Sequence, residues 1–191
     1  MVEAISRRHG NILLGYPARE DAEASLPGID EMYHHYHKSV YNFIAFRINN
    51  HHDAEELASD VFVKAMQNLG KYNPAFPIEA WLITIAKNTA NDYLRKTMRR
   101  QFLPLEKIWG MASTKRQPEE IAVINEDCRE LMVAMSKLSN KERQIVSMKF
   151  ATELKHSEIA AIMGISESHV GVTAHRAVTK LRKFMEVPNE K

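Results

Sequence analysis

Residues 156–183, HSEIAAIMGISESHVGVTAHRAVTKLRK, decide how this chain is read. The pattern predicts two helices joined by a tight turn. Ser157 is placed to cap the first helix, Glu158 adds negative charge to its first turn, and Ile159, Ala160 and Met163 supply a small apolar face. Gly164 follows, where a left-handed helix ending suits a residue without Cβ. Ile165 anchors the turn and Ser166 caps a second helix with Glu167 in its first turn. Val170, Ala174, Ala177 and Leu181 recur at helical spacing and line one face of it.

The opposite face carries Ser168, Val172, His175, Arg176 and Thr179, with Arg182 and Lys183 near the end. Small residues at Ala160 and Gly164 let the two helices approach closely, as a helix-turn-helix requires. Such a unit sets its second helix in the major groove of DNA, which is wide enough to admit it. The plainer alternative is a helical hairpin with a basic surface. Turn, cap and polar outer face together favour DNA binding.

Working outward, 191 residues suit one domain or two small ones, and 45% apolar content permits real cores. The formal net charge is only +2, so a nucleic-acid surface has to come from local clustering. Residues 87–100 carry a local net charge of +4 and residues 154–183 one of +3. The lone cysteine, Cys128, excludes an intramolecular disulfide and fits a reducing cytoplasm. No apolar run approaches a membrane span and the N-terminus lacks a secretory core, so a soluble, cytoplasmic protein is expected. Helix formers are plentiful and alternating patterns few, which predicts an all-α fold.

Residues 1–28 have little periodicity and read as an arm with a short helix near 18–24. Residues 29–50 form an aromatic-rich helix through Met32, Tyr33, Tyr36, Val40, Phe43, Ile44 and Ile48. The histidines His34, His35, His37, His51 and His52 raise the question of a metal. No helical pair among them has the i, i+4 spacing that binds one ion best, so a solvated face is expected. Residues 53–69, DAEELASDVFVKAMQNL, make a second helix with Asp53 as its cap and an acidic face of Glu55, Glu56, Ser59, Asp60 and Lys64. That face is either ordinary wet surface or a dock for a basic partner.

Two prolines force residues 71–77 into a loop. The next helix, 78–96, packs Trp81, Leu82, Ile85, Ala86 and Tyr93 inward and leaves Thr84, Lys87, Asn88, Asn91 and Arg95 polar. Tyr72 and Phe76 in the loop, followed by amides and cations, suit unstacked bases. Residues 102–122 read as a linker with Ile108 and Trp109 as unusual apolar members. Residues 119–138 form a helix through Ile121, Ile124, Cys128, Leu131 and Met135, and Ser139 caps another over 141–150.

Four of these stretches, DAEELASDVFVKAMQNL, WLITIAKNTANDYLRK, LSNKERQIVSMKF and SEIAAIMGISESHVGVTAHRAVTKLRK, in that order, resemble the extracytoplasmic-function sigma factors of bacteria. The likeness spans residues 29–184. It implies two small helical domains, a region-2-like one at 29–101 and a region-4-like helix-turn-helix at 123–187, joined by a linker at 102–122. It also implies a non-enzymatic initiation factor, with no cofactor, that brings core RNA polymerase to selected promoters. By the same resemblance Asp53, Glu55, Glu56, Ser59, Asp60 and Lys64 bind the clamp helices of the large polymerase subunit. Tyr72, Phe76, Thr84, Lys87, Asn88, Asn91, Arg95 and Lys96 melt and read the −10 element. Ser168, His169, Gly171, Val172, His175, Arg176 and Thr179 read the −35 element as duplex.

An anti-sigma factor is a further partner such a protein can have. Ser59–Asp60 stands where family members more often show Gln-Glu, and Gly171 sits inside the recognition helix, where glycine costs about 1 kcal/mol relative to alanine. A stand-alone helix-turn-helix regulator would explain residues 167–183 but not the pattern at 81–96. A metalloenzyme built on the histidines has the wrong ligand spacing.

Overall fold

A computed structural model describes residues 28–48, 50–74, 76–101 and 126–185. The arm over 1–27, Ile108 and Trp109 of the linker, and Ile121 and Ile124 lie outside these residues. Seven α-helices and one 3₁₀ turn make up the described chain, and no strand occurs among these residues. They are α1 (Ile29–Ile48), α2 (His51–Asn68), α3 (Ile78–Gln101), α4 (Glu126–Ser136), α5 (Asn140–Ala151), α6 (His156–Met163) and α7 (Glu167–Met185), with the 3₁₀ turn at Leu69–Lys71.

Local chemistry sets most boundaries. Ser139 accepts from the Glu142 N–H while the Glu142 carboxylate accepts from the Ser139 N–H, a reciprocal cap that starts α5. Two starts differ from expectation. α2 begins at His51 because Asn50, in extended backbone, accepts from the Asp53 N–H; Asp53 is therefore inside the first turn and is not the cap. α6 begins at His156 with Lys155 outside it, because the Glu158 carboxylate reaches back to the Lys155 N–H at 2.7 Å; Ser157 is already helical. α3 starts after Pro77 and continues to Gln101, past the expected end at Lys96.

The two helical units share one apolar core. Val40, Phe43 and Ile44 of α1, Val61 of α2 and Leu82 and Ile83 of α3 join Ile145 and Met148 of α5, Ile159 and Ile162 of α6, and Val170 of α7. A smaller cluster of Met135, Leu138, Val146, Ala177 and Leu181 ties α4, α5 and α7 together. Each fully buried aliphatic or aromatic side chain contributes about 1.5–3 kcal/mol. Packing of α1 and α3 on α5 and α6 is what positions the faces considered next.

Candidate nucleic-acid interface

The helix-turn-helix is α6 and α7. Gly164 ends α6 in the left-handed region, φ 64° and ψ 40°. The Ile165 N–H donates to Ala160 O and the Gly164 N–H to Ala161 O, which satisfies two orphan carbonyls of the helix end. Ser166 Oγ accepts the His169 N–H and starts α7. Val170, Ala174, Ala177 and Leu181 are buried as their spacing predicts. Ser168, His169, Val172, His175, Arg176 and Thr179 are exposed on the other side, and Gly171 is half-buried between the faces. Three of these side chains have intramolecular partners: Ser168 Oγ lies 3.1 Å from Ser166 Oγ, His169 Nε2 lies 3.1 Å from Lys141 Nζ, and the Thr179 hydroxyl donates to His175 O.

The loop and α3 are less open. The Tyr72 hydroxyl donates to Phe76 O, and its ring lies 5.1 Å from that of Trp81. Phe76 is buried, so in this conformation it is part of the interior and offers no free stacking surface; the loop folds its apolar ring under itself. The Thr84 hydroxyl donates to Ala80 O within the helix. Arg95 and Lys96 are exposed, and Arg95 pairs with Asp92 at 3.3 Å. Asn88 is half-buried.

Lys87 and Asn91 depart from the expected open face. Lys87 Nζ donates to Ile162 O at 2.6 Å, and Asn91 Oδ1 accepts from Arg47 Nη2 at 2.8 Å. Arg47 is 2% exposed and also donates to Lys87 O and Asn140 Oδ1, both at 3.4 Å. Burial, then the charge of Arg143, pushes the Arg47 guanidinium down to about 10, and burial together with Arg47 lowers Lys87.

On α2 the acidic face divides. Glu56, Ser59 and Asp60 are exposed. Asp53 accepts from the Tyr93 hydroxyl, Glu55 lies 3.7 Å from His37, and Lys64 donates to the Thr89 hydroxyl at 2.9 Å. An open polar groove of about 520 Å³ between α2 and α3 brings Asp60 and Glu56 beside Arg95, Lys96 and Arg99.

Comparison with known proteins decides what these faces belong to. Residues 32–100 match sigma-70 region 2, and residues 128–181 match sigma-70 region 4. The RNA polymerase sigma factor YlaC of Bacillus subtilis is 31% identical over 163 residues, covering 85% of this chain and 94% of that protein. The ECF RNA polymerase sigma factor SigX of the same organism is 28% identical over 164 residues, covering 83% and 84%. The chain belongs to the extracytoplasmic-function family of RNA polymerase sigma factors. It is a transcription initiation factor that directs RNA polymerase to promoters. The fold agrees with a structure of the sigma factor RpoE in complex with the anti-sigma factor NepR from Bartonella quintana. That match has TM-score 0.66 and 21% identity over 84% of this chain and 98% of that one. CnrH in complex with the cytosolic domain of CnrY matches with TM-score 0.60 and 20% identity over 88% and 94%. No described helix of this sigma factor is long and apolar enough to cross a membrane.

Arg47, Glu79, Asn140 and Arg143 join the two sigma regions and were not singled out from sequence. A signal existed only for Arg47, which shares a helical register with Val40 and Ile44 on the apolar side of α1. The histidines also gain company from folding. His37 stacks among Tyr33, Tyr41 and Phe62, and His51 Nδ1 lies 3.2 Å from the Tyr41 hydroxyl. His52, Asp53 and Glu56 bring ligand atoms within 4.8 Å of one another, a grouping that no histidine pair spacing revealed. It lies in the first turns of α2, where the helix dipole disfavours a cation, and Asp53 already accepts from Tyr93.

Proposed function

We propose that this sigma factor divides promoter reading between its two helical units, with regions of labour at 29–101 and 123–187. In the second unit, α7 lies in the major groove of the −35 element and reads it with Ser168, His169, Val172, His175, Arg176 and Thr179, with Gly171 at the closest approach. One observation carries this reading: the polar side chains of α7 are exposed along one side while Val170, Ala174, Ala177 and Leu181 fasten the other to the core. A helix so held presents a rigid row of donors to base edges and phosphates.

In the first unit, α3 takes the non-template strand of the −10 element once it is melted. Thr84, Lys87, Asn88, Asn91, Arg95 and Lys96 supply amide, hydroxyl and cationic contacts, and Tyr72 supplies a ring for stacking. Phe76 joins only if the loop rearranges. The exposed acids Glu56 and Asp60, with Ser59 between the helix turns, dock on the clamp helices of core polymerase, supported by Asp53, Glu55 and Lys64. The protein acts by binding, in the cytoplasm, with no chemistry or cofactor of its own. Two solved sigma factors of this fold were captured with an anti-sigma factor or a cytosolic partner domain. We extend that partner class to this chain, where the apolar groove lined by Phe46, Leu131, Met135, Phe150, Leu181 and Met185 offers a helix a seat.

Run-off transcription with purified core polymerase on a promoter library tests the reading. Initiation from a defined set sharing −35 and −10 sequences is the expected result. Tight, sequence-specific duplex binding by the free protein, with no polymerase-dependent initiation, would instead identify a stand-alone regulator.

A further inference from the structure

The C-terminal end of α1 and three helices of the C-terminal unit enclose an apolar groove of about 520 Å³. Phe46 of α1, Leu131 and Met135 of α4, Phe150 of α5 and Met185 of α7 line it, and Arg182 is the one charged residue among its described lining. Phe150 is 62% exposed and Met185 37%, so the described chain leaves part of this wall bare. Water against large apolar side chains costs free energy, and a bare concave patch of this kind marks a place where another apolar segment binds.

Two stretches of the chain outside the described residues carry suitable side chains. The arm has Ile12, Leu13, Leu14 and Tyr16, and the linker has Phe102, Leu103, Leu105, Ile108 and Trp109. Charge chooses between them. Beside Arg182, the exposed Lys137, Lys149 and Lys183 stand within two residues of lining positions, against Glu130. Residues 102–117 hold Lys107, Lys115 and Arg116 against Glu106, a net +2 that this rim repels. Residues 11–25 hold Arg19 against Glu20, Asp21 and Glu23, a net −2 that it attracts. Reach allows the arm as well. Phe46 lies 17 residues along α1 from Ile29, about 26 Å. Tyr16 stands 13 residues before Ile29, up to about 43 Å of extended chain. A short tether of this kind gives an effective concentration of about a millimolar, so a contact too weak to join separate molecules is still populated.

We propose that the arm is the groove's own ligand: the run Ile12–Tyr16 seats among α4, α5 and α7, with the acids at 20–23 toward Arg182. Seated there it closes the groove to a helix from another protein, which has to displace it. This rests on the reading above only in that the groove seats an apolar segment; it needs no second protein.

The test uses the full chain with the photoreactive residue p-benzoylphenylalanine in place of Leu14. Benzophenone inserts readily into methionine side chains, and Met135 and Met185 line the groove. Irradiation followed by mass spectrometry should find cross-links within one chain to the peptides carrying these methionines. Phe150→Glu, at a position exposed enough to leave the fold intact by circular dichroism, should abolish them. Cross-links that join two copies, that fall elsewhere or that fail to form overturn the proposal. So does a probe at Trp109 that reaches Met135 and Met185 when the one at Leu14 does not. The fluorescent apolar probe 8-anilinonaphthalene-1-sulfonate then separates arm from groove. Its emission should rise when Ile12→Glu and Leu13→Glu are introduced together, and fall back when Phe150→Glu is added. Emission that depends on Phe150 but is indifferent to the arm substitutions overturns the arm as ligand and leaves the groove as a seat. Emission indifferent to Phe150 in every variant overturns both.

Discussion

Gly171 sits in the interior of α7, where glycine is the costliest residue apart from proline. A Cβ built at this position meets only His156 Nδ1, at 3.9 Å, which is an ordinary contact distance. The only described glycine with positive φ is Gly164, so no backbone demand explains Gly171. Gly171→Ala should therefore gain nearly the full helix-propensity difference, about 1 kcal/mol, with no packing penalty to set against it. For a chain of this size that is a rise of about 2–4 °C in Tm. The gain should come with a functional loss. A glycine standing where it weakens the helix and nothing internal needs it fits a position where the helix backbone meets DNA. A methyl group there should cost about tenfold or more on −35-dependent promoters, the size of one lost contact. Thermal unfolding by circular dichroism and run-off transcription on matched promoters, with and without the −35 element, measure the two effects. Lower stability would refute the packing argument. Higher stability with unchanged −35 dependence would refute the docking argument.

Glu142 is held down to about 2 from an ordinary 4.5, chiefly by Lys180 at 2.6 Å and then by the Ser139 hydroxyl and N–H. A depressed carboxyl stabilises the fold above its unfolded value and loses that contribution as pH falls from about 4.5 toward 2, so acid titration of Tm should show this step and Glu142→Gln should lack it. Gly164→Ala should cost about 1–2 kcal/mol through left-handed backbone strain alone, since nothing lies within 4 Å of the added carbon; Gly164→Asn should cost less in the same urea titration. Charge reversal at Glu56 and Asp60 should weaken binding to core polymerase with duplex binding by the C-terminal unit unchanged, and unchanged polymerase affinity in a folded variant would sink the docking assignment. Arg176→Ala should weaken closed-complex formation at −35-dependent promoters, whereas Asn88→Ala should impair strand opening, partly restored by a pre-melted −10 bubble. Permanganate footprinting beside a binding assay separates the two steps, and equal duplex-binding losses with normal opening would refute the division.

Much of this protein was legible in its sequence because the interactions concerned are local. The Ser139–Glu142 cap, the Ser166 cap, the left-handed Gly164 and the buried row Val170, Ala174, Ala177 and Leu181 each involve residues within about one turn of each other, where spacing along the chain dictates spacing in space. Even local reading fails where two neighbours compete for one role. Asn50 outbid Asp53 as a cap, and Glu158 set the start of α6 ahead of Ser157, because backbone geometry chose between side chains of equal aptitude. What the tertiary structure alone decided are the contacts across long separations. Arg47 meets Asn91 and Asn140, 44 and 93 residues away; Lys87 meets Ile162, 75 residues away. No periodicity encodes such partners. They follow from which helix faces the common core brings together, and a polar residue on a predicted open face becomes a covered one when another helix is packed upon it.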